Sequence, residues 1–142
     1  MQIAFSPDGR TLAIAGNGQV TLWDVRSHRS RVLRFPPAAL GAPTSSLSFS
    51  RDGKRLAVGL HQIATSLGLM VLDVASGRAL ATARASVDDV AFSPDGRSVV
   101  DAEIALTSGG SIVLRDAATL APRQTLTRMP DDEATAAAFS PD

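Results

Sequence analysis

A pentapeptide that returns at a nearly constant interval restricts this chain more than any other feature. Phe5-Ser6-Pro7-Asp8-Gly9, Phe49-Ser50-Arg51-Asp52-Gly53, Phe92-Ser93-Pro94-Asp95-Gly96 and the shortened Phe139-Ser140-Pro141-Asp142 place their phenylalanines 44, 43 and 47 residues apart. A period between about 20 and 50 residues marks a chain built from copies of one supersecondary unit, each too small to bury its apolar face alone. The 142 residues are therefore read as a single domain, 1–142. Its repeats fall at approximately 1–44, 45–86 and 87–134, and a fourth starts at 135–142.

Each pentapeptide reads as a strand end running into a tight turn. Pro at the second turn position has its φ preset, Asp hydrogen-bonds nearby backbone, and Gly accepts a positive φ. Arg51 replaces Pro in the second copy, which a type I turn tolerates. Short apolar runs follow the turns at residues 11–15, 55–60 and 97–100. Breakers come next, at Gly16-Asn17-Gly18, Ser66-Leu67-Gly68 and Ser108-Gly109-Gly110, and each leads to a third strand at 20–24, 69–73 or 111–116. A fourth strand closes each unit at 31–35, 78–82 or 123–127. The expected class is all-β, with four antiparallel strands per unit, three units, and one extra strand at 134–139.

Four-stranded units of about 40 to 45 residues are the signature of propeller blades. The stretch from Phe5 through Val20-Thr21-Leu22-Trp23-Asp24 resembles a bacterial WD40 repeat, and the resemblance extends over essentially the whole chain. Only the first unit carries the Trp-Asp pair; Leu72-Asp73 and Arg115-Asp116 occupy the matching places in the others. The resemblance implies a network joining that Trp to a turn Asp, a strand Ser or Thr and a His. Asn17, Ser66 and Gly109 stand at the turn-Asp positions and no Gly-His pair occurs, so degenerate blades held mainly by packing are expected. Propellers close with about 4 to 8 blades. Three blades plus one strand are read as a partial or open propeller, whose partners include the remaining blades of a parent ring or a second copy.

Composition removes several functions. Lys+Arg 14 balances Asp+Glu 14, which offers no basic field for nucleic acid or anionic membrane. No apolar run approaches the roughly 18 to 20 residues of a spanning helix, and the N-terminal residues lack the pattern of a secretory signal, so a cytoplasmic location is the default expectation. With Cys 0 there is neither disulfide nor thiolate chemistry. His28 and His61 fall in a turn and a loop of different units, away from any nucleophile. Asp131-Asp132-Glu133 lacks the spacing of a calcium loop, and the Gly-rich turns lack the Lys of a phosphate loop. Neither a cofactor, a metal nor catalysis is expected.

What remains is the set of connections at 35–44, 61–68, 84–86, 101–110 and 128–134, whose unequal lengths contrast with the repeated scaffold. Loops on a rigid scaffold carry function. Arg84, Asp88, Asp89, Arg128, Asp131 and Asp132 offer charge there to another protein. The resemblance implies a non-catalytic interaction scaffold. The alternative is a regulatory or catalytic propeller portion of a larger bacterial multidomain enzyme, such as a kinase, protease, ATPase or propeller hydrolase.

Overall fold

The computed structural model describes residues 1–16, 18–39, 41–61, 67–105, 109–129 and 134–140. Among these residues twelve strands form three antiparallel sheets in chain order. The first contains β1 (Gln2–Phe5), β2 (Thr11–Gly16), β3 (Gln19–Asp24) and β4 (Ser30–Arg34). The second contains β5 (Thr44–Phe49), β6 (Arg55–Leu60), β7 (Leu69–Asp73) and β8 (Ala79–Ala83). β9 (Val87–Phe92), β10 (Ser98–Ala105), β11 (Gly109–Asp116) and β12 (Pro122–Met129) make the third. Every sheet is an up-and-down meander, and a short 3₁₀ turn at Pro37–Ala39 lies in the connection from the first to the second.

The repeated pentapeptide builds the same turn three times. The Gly9, Gly53 and Gly96 N–H groups donate to Ser6, Ser50 and Ser93 carbonyls at 2.8–2.9 Å, and the three glycines hold φ of 67, 68 and 69°. Asp8, Asp52 and Asp95 each accept from the motif Ser hydroxyl at 2.6 Å and from the backbone N–H two residues on, of Arg10, Lys54 and Arg97, at 2.9–3.0 Å. A second turn type joins the third and fourth strands. There His28, Gly77 and Leu120 occupy equivalent left-handed positions, φ 57, 74 and 58°, each donating its N–H to the Asp four residues earlier. Val25, Val74 and Ala117 then donate to the Arg10, Lys54 and Arg97 carbonyls at 2.8–3.0 Å, tying the two turns of a blade into one rim.

Replacing Gly96 by Val is expected to cost about 1 kcal/mol or more, because an L side chain is strained at that φ. Its Cβ would also sit 2.9 Å from the Arg55 guanidinium. Arg55 donates to the Gly96 carbonyl at 2.7 Å and lies over the Phe92 ring at 5.2 Å, so this turn is also an inter-blade contact. A urea midpoint unchanged by the substitution would contradict the assignment.

Packing explains why strands expected to alternate read as continuous apolar runs: residues on the two faces of a strand enter two different cores. Leu56, Val58, Leu60, Met70 and Leu72 of the second sheet join Ala13, Ala15, Val20, Leu22 and Leu33 of the first. The opposite face of the second sheet, with Ala57, Leu69 and Val71, joins Val87, Phe92, Val99, Ala117 and Leu120 around the third. Blade two is thus covered on both sides. The outer face of blade one leaves Ile3, Phe5 and Val32 well exposed and Trp23 about one-third exposed.

Two expectations differ from the structure. Residues 134–140 are not paired as a strand: among the described residues none forms a ladder with them. The expected loop at 101–110 is shorter, since β10 runs through Ala105 and β11 starts at Gly109; charged Asp101 and Glu103, expected in that loop, belong to β10 on the face that carries Val99.

Candidate interaction site

The rim opposite the two repeated turns carries the connections from second to third strand and from fourth strand to the next blade. A bulge shapes its centre. Ala102 pairs with Asp89 and Glu103 with Val87, so Asp88 is an extra residue in β9 and drops out of alternation. Ser45 is the equivalent extra residue in β5, between Thr44 opposite Leu60 and Ser46 opposite Gly59. The bulge turns Asp88 toward His61, whose Nδ1 lies 2.9 Å from Asp88 Oδ1. His61, expected only as a loop residue, is half-exposed and fixed across the blade boundary.

Asp89 has a different task. Its Oδ1 accepts from Ser46 Oγ at 2.6 Å, and its Oδ2 accepts from the Ala137 N–H at 3.0 Å. Ser46 and Asp89 are equivalent positions of successive innermost strands, so a line of hydrogen bonds runs from β5 through β9 to the segment at 134–140. Ser45 Oγ donates to the Val87 carbonyl and the Phe92 N–H donates to Ser48 Oγ at 3.0 Å along the same seam. Phe49, Phe92 and Phe139 of three successive motifs line a cleft of about 450 Å³ with Arg51.

Among the other sequence candidates, Arg84 is exposed between β8 and β9. Arg128 is exposed but belongs to β12, opposite Ser111, and not to a loop. Asp131 and Asp132 lie outside the described residues. Arg84, Asp88 and Arg128 therefore present charge from this rim, while Asp89 is occupied within the fold.

On the opposite rim the aspartates are held by donors of their own turns, while Arg10, Arg51, Lys54 and Arg97 are exposed. Hydrogen bonds from Ser6, Ser50 and Ser93 pull the Asp8, Asp52 and Asp95 carboxyls below their ordinary range. Asp24, Asp73 and Asp116 are lowered by the Ser27, Ser76 and Ala118-Thr119 donors of their own turns. His28 stacks on Trp23, with centroids 6.1 Å apart and planes at 20°.

Sequence reasoning missed one cluster. Arg115, buried in β11, donates from Nε to Asp101 Oδ1 at 2.8 Å, from Nη1 to the Leu120 carbonyl at 3.1 Å and from Nη2 to Glu103. The available signal was a charged residue inside each of two apolar runs, Val99-Val100-Asp101-Ala102 and Val113-Leu114-Arg115. Blade three is therefore held by an ionic cluster as well as by packing.

The described residues bring His61 and Asp88 together without a nucleophile at hydrogen-bonding distance, and among them no three His, Asp or Glu side chains converge as a metal site. The arrangement can offer charge and hydrogen bonds to a partner. Among the described residues no helix is long and apolar enough to cross a membrane.

Residues 1–24 match the family model for the WD domain, G-beta repeat. No curated protein matches the chain. Among solved structures, the RRP9 WD40 repeats superpose with a TM-score of 0.72 at 22% identity, over 88% of this chain and 37% of that one. The Cps50 (Swd1) β-propeller domain from Myceliophteria thermophila gives 0.69 at 21%, over 91% and 39%. A chain of the Kuenenia stuttgartiensis hydrazine synthase gives 0.68 at 20%, over 85% and 34%. The chain spans between one-third and two-fifths of the length of these structures, and the likeness is one of fold.

Proposed function

We propose that this chain, a partial WD40-type β-propeller, is a non-catalytic platform that holds another protein on the rim formed by its unequal connections. The contrast between the two rims carries this reading. On one rim the same turns recur in each blade and their aspartates are consumed by local donors. On the other, Arg84 and Arg128 are exposed, and the His61–Asp88 pair is half-exposed, at positions without counterparts in every blade. A rigid β scaffold with variable charged loops suits recognition of a complementary surface.

The same reading treats the three blades as consecutive members of a larger ring. The uncovered face of blade one and the segment at 134–140 seated beside β9 support it. A photo-crosslinking residue at Arg84 or Arg128 is expected to capture one discrete partner in the cell that expresses the protein, and His61→Ala should weaken that capture several-fold. The same residue at Ser76, on the repeated rim, should not capture it. Equal capture from both rims would contradict the assignment.

A further inference from the structure

We propose that Asp101, Glu103 and Arg115 form a proton-held lock on the seam between the second and third blades, in which one proton shared by the two carboxyl groups keeps the seam closed. Alternation along β10 places Asp101 and Glu103 on the face that carries Val99, and Val99 packs with Ala57, Leu69 and Val71 of the second blade. Asp101 is 0% exposed and Arg115 7%. Two carboxylates against one guanidinium leave an excess negative charge in a site whose partner blade contributes apolar side chains.

The hydrogen bonds locate the missing proton. Arg115 satisfies Asp101 Oδ1 and reaches Glu103, and Ser111 Oγ lies 3.4 Å from Glu103 Oε2. Asp101 Oδ2 is buried without a partner. An unpaired buried carboxylate oxygen is costly, whereas a carboxylic O–H at the same atom becomes a donor that a neighbouring carboxylate can accept. The other charged groups nearby are already engaged or directed elsewhere. On β9, Asp88 meets His61 and Asp89 meets Ser46 and Ala137; on β6, Arg55 meets Gly96; β7 contributes Asp73, held in its own turn. β11 also ends in Asp116, bound to Arg123 of β12, and Arg128 of β12 is exposed opposite Ser111.

Burial, opposed by Arg115 and reinforced by Glu103, pushes Asp101 from 3.8 up to about 7. A raised carboxyl stabilises the fold fully below its unfolded value, and that contribution is lost as pH rises from there through about 7. The folding equilibrium constant of the intact chain should fall by up to about tenfold per pH unit between pH 5 and 7 and level off above that. Amide exchange in β9, β10 and β11 should accelerate over the same range relative to β2 and β3. Asp101→Asn replaces the O–H by an N–H donor that does not titrate, and should flatten both profiles. Glu103→Gln removes the lesser of the two causes that raise Asp101, and should move the fall to lower pH even if the first variant folds poorly. An intact chain with a flat profile from pH 5 to 8, or a slope retained in both variants, would overturn the lock.

Discussion

Gly68→Ala is expected to lower stability by about 3 kcal/mol or more, above the usual cost of an overpacked methyl. A Cβ at Gly68 would fall on the carbonyl oxygen of Ala85, in the short connection between β8 and β9. The obstacle is backbone, so no rotamer change relieves it. Neither chain can easily step aside: the Gly68 N–H donates to the Ala83 carbonyl at 3.1 Å and its carbonyl accepts from the Leu60 N–H at 2.7 Å. Only residues 84–86 separate β8 from Val87, which is buried. Gly16→Ala is the matched control. Its Cβ would meet nothing within 4 Å and its φ is ordinary, so a change within about 0.5 kcal/mol is expected. Urea unfolding of both variants separates a steric demand at Gly68 from a general preference for glycine.

Arg115→Met is the second large effect, expected to cost about 3 to 5 kcal/mol because it strands two carboxyl groups, one fully buried. Arg123→Met removes a pair of similar chemistry with Asp116 on the surface, and should cost no more than about 1 kcal/mol. The double change Asp101→Leu with Arg115→Met should recover most of the loss, since a buried pair replaced by apolar groups of similar size is often neutral or better. Chemical denaturation at pH 6 of the three proteins checks the order. Failure of the double variant to recover would mean that Arg115 acts mainly through its bond to the Leu120 carbonyl.

The turn motif made the four-stranded antiparallel units legible. Ser, Asp and Gly at fixed offsets dictate one backbone geometry, and the structure repeats it at residues 6–9, 50–53 and 93–96 with φ values within 2°. Strand order followed, because short turns between apolar runs permit only a meander. The segment at 134–140 shows the limit of pattern reading: its sequence matches an innermost strand, yet a ladder needs a second strand beside it. Asp101 is hidden for a different reason. A charge among valines looks like the start of a loop, and only the cross-strand register, which sets Asp101 beside Arg115 on one face, reveals a buried pair.

The candidate rim was legible as a place but not as a set of roles. Asp88 and Asp89 are adjacent in sequence and chemically identical, and a one-residue bulge decides that the first meets His61 while the second is spent on Ser46 and Ala137. A bulge leaves no reliable mark in composition or periodicity. The same holds for His28, whose left-handed φ brings its ring onto Trp23.

Units about 43 residues apart stack as consecutive blades, and proton–proton contacts across the seam between the second and third blades test this stacking most directly. Gly59 lies against the Val87 side chain, and the Arg55 guanidinium lies over Phe92. Nuclear Overhauser spectra of the labelled chain should therefore show contacts from Gly59 Hα to the Val87 methyls and from the Arg55 side chain to the Phe92 ring. A well-dispersed spectrum with intact ladders inside each sheet but neither contact would show that the sheets form without stacking, and would contradict the propeller.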